Sequence, residues 1–340
     1  MPTIVQTNPT LADVAYNIGT NSKVGKIIEV LNQRQDLLDD AVVLEANSGT
    51  HNKTSVRTGL PKGTWRKLNY GVQPEKTARV QVTDSTGQLT TYSEIDKTLY
   101  DLQGSNAPQW RSEEDAGFVE GLSQEVMRNI IYGDTTGNVS TFNGLAIRYN
   151  NKIDPETGVA PANAANIIDA GGTGSNNTSI FIVQWDQTKT HLFYPQGTQA
   201  GLDIQDKGQV TLEDETGGRY EGLRTYFQWD VGLAVRDWRS VVRIANIDAT
   251  LLKKDASTGA NLIDLLDDAL SLLPLAGSSR VAIYMNRTVN NALKGQTTYF
   301  KNVRLTLEDF RGDGKRKIPM YDGVPIRICD VILNTEARVV

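Results

Sequence analysis

Histidine is the usual general base of enzymes, and this chain has two, His51 and His191. They stand in different segments without a neighbouring nucleophile, and neither lies in a G-x-S-x-G or H-E-x-x-H pattern. Both read as exposed loop or strand histidines with no catalytic or metal-binding task. Gly171-Gly172-Thr173-Gly174 could cradle a phosphate, but a nucleotide loop needs a Lys-Ser/Thr and a following helix, and a strand-like run follows instead. The carboxylate pairs Asp39-Asp40, Glu113-Glu114 and Asp267-Asp268 are sequence neighbours, which diverge by about 100° on a helix and cannot converge on one substrate. They read as surface charge. Cys329 is the only cysteine, which excludes an intrachain disulfide or a thiolate zinc cage and fits a small buried apolar side chain inside GVPIRICDVIL. Arg311-Gly312-Asp313 reads as a polar turn, and Lys315-Arg316-Lys317 as a solvated edge or a weak contact with nucleic acid. No catalytic, cofactor or metal constellation emerges, so the chain is not expected to be an enzyme.

The 340 residues suffice for two compact units or one elongated subunit with extensions, and 39% hydrophobic with 22% charged residues is ordinary for a folded chain. A formal net charge of −5 argues against a nucleic-acid binder that neutralises many phosphates. No run approaches the roughly 18 uncharged apolar residues of a membrane span, since NLIDLLDDALSLLPLAG contains three aspartates. The start MPTIVQTNPTLADVAYN has no signal-peptide pattern, so the expected compartment of synthesis is the cytoplasm.

Residues 1–47 read as an arm, with Val24, Ile27, Ile28, Leu31 and Leu38 on one face of an amphipathic run too short to hold a core alone. From 48 to 98 the composition turns to Thr, Val, Arg and Gly. KTARVQVTD and QLTTYSEID, separated by Asp84-Ser85-Thr86-Gly87, are expected to pair as a long hairpin. Its alternation puts Val80 and Val82 on one side and Arg79, Gln81 and Thr83 on the other, a narrow apolar stripe that cannot stabilise a hairpin standing free in water. A spine helix is expected over 112–133, capped by Ser112 and Asp115, with Phe118, Leu122, Val126 and Ile130 along one face. Residues 150–178 read as loops. Strand-like runs follow in IFIVQW, HLFYP, RYEGLRTYFQW, VGLAV and VVRIANI, then helix IDLLDDALSLL, strand SRVAIYM, helix NRTVNNALKG and a strand pair around Asp322-Gly323. The class is α+β with β dominant.

VRTGLPKGTWRKLNYGVQPEKT followed by YSEIDKTLYDL resembles the extended-loop region of podovirus major capsid proteins of the epsilon-fifteen-like group. The resemblance continues in order through MRNIIYGD, FNGLAIRY, NIIDAGGTGSNNTSIFIVQW, GGRYEGLRTYFQWDVGLAVRDWRSVVRIANID, AIYMNRTV and YDGVPIRICDVI, covering nearly the whole chain. It implies a Hong Kong 97-like capsid fold with N-terminal arm (1–47), extended β-hairpin loop (48–98), peripheral domain with the spine helix (99–160), a mostly axial region with part of the peripheral sheet (161–315) and a return to the peripheral domain (316–340).

The implied function is a major capsid protein that self-assembles into pentamers and hexamers of an icosahedral phage head around double-stranded DNA. The hairpin would lie on an adjacent subunit through Arg57, Arg66, Lys67, Arg79, Val80 and Val82. The implied partners are further copies of the chain, a separate scaffold, a portal and a cement protein, with only weak non-specific contact to the packaged DNA and none to membrane. The place of action is the virion capsid, and no cofactor is implied. The alternatives are another virion structural subunit, such as a tail tube or decoration protein, or a cytoplasmic hydrolase without a recognisable motif.

Overall fold

The computed structural model describes residues 36–153, 158–214, 216–274, 280–301, 305–309 and 317–340. The arm up to residue 35, Arg311-Gly312-Asp313 and Lys315-Arg316 lie outside them. In chain order the elements are α1 (Asp36–Asp40), β1 (Val43–Glu45), β2 (His51–Gly59), β3 (Ala78–Ser85), β4 (Gly87–Asp96), α2 (Lys97–Leu102), α3 (Ala107–Tyr132), α4 (Leu145–Arg148), β5 (Ile167–Asp169), β6 (Asn177–Trp185), β7 (Thr190–Tyr194), β8 (Leu202–Glu213), β9 (Arg219–Val235), β10 (Val241–Asp248), α5 (Leu262–Leu272), β11 (Arg280–Met285), α6 (Arg287–Tyr299), β12 (Leu305–Asp309), β13 (Lys317–Tyr321) and β14 (Val324–Ile328). They fall into two compact units.

The larger unit takes residues 36–87, 128–198 and 231–340. Its middle strand is β6, antiparallel to β10 on one side and to β11 on the other; β11 runs parallel to β14, and β14 continues through β13 to β12. Every residue of β6 is buried. A strand covered on both faces has no solvent side to alternate with, which is why Ile180 to Val183 reads as an unbroken apolar run. Ile180, Ile182, Val242, Ile244 and Ile283 form one core with Leu262, Leu266 and Ala269 of α5 and Val289 and Leu293 of α6. Helix α6 starts where the Asn286 side chain accepts a 2.9 Å hydrogen bond from the Val289 N–H. The turn between β13 and β14 needs positive φ at both central residues, and Asp322 (50°) and Gly323 (77°) supply it.

Two buried ion pairs tie distant segments of this unit together. Arg327 of β14 forks onto Asp40 of α1 at 2.6 and 2.7 Å. Arg243 of β10 donates to Glu336 at 2.8 Å, and the same carboxylate accepts from the hydroxyls of Ser179 and Tyr132. Desolvating two charges is tolerable only when their remaining hydrogen-bonding capacity is filled, as it is here.

The smaller unit takes residues 88–127 and 199–230 of the described chain. Strand β8 pairs antiparallel with β9 from Leu202 opposite Trp229 to Glu213 opposite Arg219. The register shifts between Asp206 and Gly208, where Gly208 adopts φ 69°, the left-handed residue of a bulge. Strand β4 borders β9. Helix α3 buries Trp110 and Leu122, and its Phe118 ring stacks on Phe227 with centroids 5.8 Å apart. Arg111 forks onto Asp206 at 2.6 and 3.2 Å, and Arg224 meets Glu94 at 2.6 Å.

Several sequence expectations are corrected here. Strand β3 pairs with β2, not with the run after Asp84-Ser85-Thr86-Gly87, which continues as β4. The Thr86 N–H bonds to Thr50 O at 3.2 Å and Gly87 is buried close to the Ser140 carbonyl, so this tetrapeptide keeps the chain running on where a turn was expected. Helix α3 begins at Ala107, ahead of Ser112, because Pro108 lies in the first turn, where the missing N–H has no intrahelical partner to lose. Strand β8 was not foreseen, nor was β5 within the presumed loop at 150–178, where it pairs parallel with β10. Asp40 is buried in an ion pair and is not surface charge. His191 lies in β7 but only 1% exposed, and burial, reinforced by Arg236, lowers its pKa to about 4. Cys329 is buried as expected, which pushes its thiol up to about 11.

Candidate assembly surface

Strands β2 and β3 form a separate two-stranded ribbon. Its root is well held. Asn47 and Lys53 exchange side-chain to backbone hydrogen bonds at 2.6 and 2.9 Å, and the buried Asp84 accepts from Arg148 at 2.8 Å. Toward the tip this support disappears. Val56 faces Val80 across the ribbon and Thr54 faces Val82, so the valine stripe lies on one side, and Val80 remains 53% exposed.

On the other side Arg57 stands directly opposite Arg79, both exposed. Like charges opposed across a strand pair repel by up to about 1 kcal/mol, so the arrangement is improved by any anion placed over it. Among the described residues neither arginine has an ion-pair partner, and the same holds for Arg66 and Lys67 in the connecting loop. The six residues singled out from the sequence are thus gathered on one ribbon, four on its strands and two at its tip.

Sequence reasoning missed the strongest feature of this ribbon. Every residue from Leu60 to Lys76 is exposed, and the loop carries Leu60, Trp65, Leu68, Tyr70 and Val72, with the Trp65 side chain entirely in solvent. The signal was available in GLPKGTWRKLNYGVQP, an aromatic-bearing run framed by Gly and Pro and too rich in cations to be a core strand. The loop is shaped from within: Glu75 accepts from the N–H groups of Lys62 and Gly63 at 2.8 and 3.2 Å, and Asn69 adopts φ 63°. A single surface apolar residue needs no explanation, but a cluster of this size marks an interaction site.

Among the described residues no three His, Cys, Asp or Glu side chains converge in a way that could hold a metal ion. Nor is any helix there long and apolar enough to cross a membrane.

Comparison with known proteins bears on the same point. The family model for major capsid protein GP7 matches residues 19–340. A chain in the near-atomic cryo-EM structure of bacteriophage Epsilon15 is 36% identical, with a TM-score of 0.75 over 100% of this chain and 99% of that one. A chain of the bacteriophage JBD30 capsid is 10% identical, with a TM-score of 0.49 over 86% of this chain and 89% of that one. No curated protein matches. The α+β architecture is the phage capsid-subunit fold that the resemblance implied. With a family model spanning nearly its whole length and a full-length structural relative at 36% identity, the chain belongs to the family of major capsid protein GP7, the subunits of icosahedral tailed-phage heads.

Proposed function

We propose that copies of this chain assemble into pentamers and hexamers of an icosahedral shell enclosing double-stranded DNA, each laying its β2–β3 ribbon over a neighbour. In this reading Val80 and Val82 lose their solvent exposure against the adjacent subunit, while Arg57, Arg66, Lys67 and Arg79 meet acidic groups there. The observation that supports it is the exposed apolar tip from Leu60 to Lys76. Covering Trp65 alone removes roughly 150–250 Å² from water, about 4–6 kcal/mol at about 25 cal/mol per Å² before the ordering cost is subtracted. That is a weak bond between two molecules. Repeated around closed rings it becomes a strong one, because each seated copy makes the next contact effectively intramolecular.

Residues 1–47 act as the arm and 48–98 as the extended loop. Residues 99–160, with the spine helix, serve as the peripheral domain, to which residues 316–340 return. Residues 161–315 contribute mostly to the axial domain. A separate scaffold, a portal and a cement protein complete the set of partners, the packaged DNA is touched weakly and without sequence preference, and the chain carries no catalytic role. Synthesis takes place in the host cytoplasm. Negative-stain microscopy of the expressed full-length chain tests the reading: polyhedral shells are expected, and a persistently monodisperse small species overturns it.

A further inference from the structure

Residues 333–340 lie on the larger unit in a manner unlike its core strands. Only Glu336 and Val339, three positions apart, are buried, and the rest of the segment is exposed. It is nevertheless closely held, mostly through its backbone. The Tyr132 hydroxyl accepts from the Leu333 N–H at 3.0 Å, and the Asn177 carbonyl accepts from the Glu336 N–H at 2.8 Å. The Asn246 side chain accepts from the Val339 N–H and donates to the Val339 carbonyl, both at 2.8 Å. A neighbouring strand would offer the same donor and acceptor pair, supplied here by one amide.

The groups that receive the segment are fixed by other contacts. Arg243, itself buried, donates Nε to Ser179 at 3.0 Å and Nη1 to the carbonyls of Ala146 and Tyr149 at 3.1 and 2.9 Å, which leaves Nη2 for Glu336. Asn246 stands where the register of β10 on β6 breaks, with φ 59°. Its Nδ2 also donates to Asp169 at 2.9 Å and its carbonyl accepts from the Gly172 N–H at 2.8 Å. A left-handed asparagine persists only where its surroundings over-determine it. Here they do, and Gly172 is part of the reason, because a Cβ at that position would come within 2.5 Å of the Asn246 carbonyl oxygen. A charge and an amide held ready in this way have the attributes of a pre-organised binding site.

We infer that Arg243, Asn246, Tyr132 and the Asn177 carbonyl form a binding site for an extended peptide carrying a glutamate and, three residues on, a valine-sized apolar side chain. Residues 333–340 occupy it as an exchangeable ligand. Recognition is by strand addition: backbone hydrogen bonds hold the peptide, and two buried side chains specify it. Arg243 reads the glutamate and Asn246 the backbone at the apolar position, while Tyr132, whose hydroxyl donates to the Glu336 carboxylate, sets the register.

Full-length chain with a site-specific protease sequence inserted between Ile332 and Leu333 is folded and then cut. Residues 333–340 are expected to co-elute with the remainder in size exclusion, and to be displaced by an excess of the synthetic peptide LNTEARVV labelled at its N-terminus, whose fluorescence anisotropy gives a Kd. Glu336→Gln in the peptide is expected to weaken binding about a hundredfold or more, because it leaves the Arg243 charge buried without its counter-ion. Thr335→Ala, at an exposed position, is expected to change nothing. Loss of the segment on cutting without rebinding, collapse of the fold on cutting, or equal affinity for the Glu336→Gln peptide overturns the inference. Should the inserted chain not fold, hydrogen exchange in the intact chain decides. The N–H groups of Leu333, Glu336 and Val339 are expected to exchange faster than those of β6, and faster still in Glu336→Gln while β6 is unchanged. Exchange in step with β6 in both chains overturns it.

Discussion

The chain contains two long antiparallel ribbons, and they obtain their stability differently. In β8–β9 the second strand has β4 on its other edge, and Phe227 is buried and stacked on Phe118 of α3. Arg111 and Arg224 find carboxylates within the same unit. In β2–β3, among the described residues, neither strand has a further neighbour, the valine stripe stays partly wet and two arginines face each other without an acid. Identical backbone hydrogen bonding therefore says little about whether a ribbon is complete. What distinguishes the two is whether side chains on both faces are satisfied by their own chain, and in β2–β3 many of them stay exposed.

The contrast makes quantitative predictions for the unassembled chain, measured by urea denaturation. Phe227→Ala, in the self-sufficient ribbon, is expected to cost about 3–5 kcal/mol of folding stability, as truncation of a buried phenylalanine does. A loss under about 1 kcal/mol, within reach of an ordinary surface substitution, would break the comparison.

The far end of β9 pairs with β7, where Ala234 lies opposite the buried His191. This imidazole is held neutral, with its pKa lowered to about 4 by burial. In the unfolded chain it takes up a proton near pH 6.5, so its contribution is complete above that pH, falls as pH drops, and levels off below about 4. The loss is on the order of 3 kcal/mol. His191→Gln should show a shallower decline than the parent between pH 7 and pH 4, and parallel curves for the two would refute the assignment.

Effects on the open ribbon are smaller and partly of opposite sign. Arg79→Thr removes a like-charge pair and should raise the stability of the isolated chain by a few tenths up to about 1 kcal/mol while lowering the yield of shells in microscopy. Trp65→Ala should leave the isolated chain within about 0.5 kcal/mol of the parent, since nothing covers that side chain, and yet abolish shells. A large folding defect from Trp65→Ala would mean that the tip is already covered by its own chain.

Much of the architecture was legible because it follows local rules. The four-residue spacing of Leu122, Val126 and Ile130 announced α3, the β-branched density of IFIVQW and VVRIANI announced β6 and β10, and Asp322-Gly323 announced the β13–β14 turn. What failed was non-local. Asp84-Ser85-Thr86-Gly87 has turn composition, but which strand pairs with β3 is decided by the rooting of Asp84 on Arg148 and of Thr86 on Thr50, contacts that composition does not encode. LDIQDKGQVTLE carries little strand signal because most of β8 is exposed and Gly208 breaks its alternation. The burial of Asp40 and His191 is illegible in the sequence because a lone polar residue reveals nothing of a partner 287 positions away or of a strand closing over it. The six ribbon residues were found by charge and alternation, whereas the exposed aromatic tip beside them was overlooked, since exposure is a property of what fails to pack.

The clasp between Asp40 and Arg327 also has a mechanical meaning. It joins the last turn before β1 to a strand inside the central sheet, upstream of the ribbon's own mooring at Asp84 and Arg148. The chain leaving α1 toward its N-terminus therefore starts from an anchored point, and removing one partner of the pair, which strands the other charge, costs about 3–5 kcal/mol. The leading segment and the ribbon are therefore separately tethered, and a tug on one does not slacken the other.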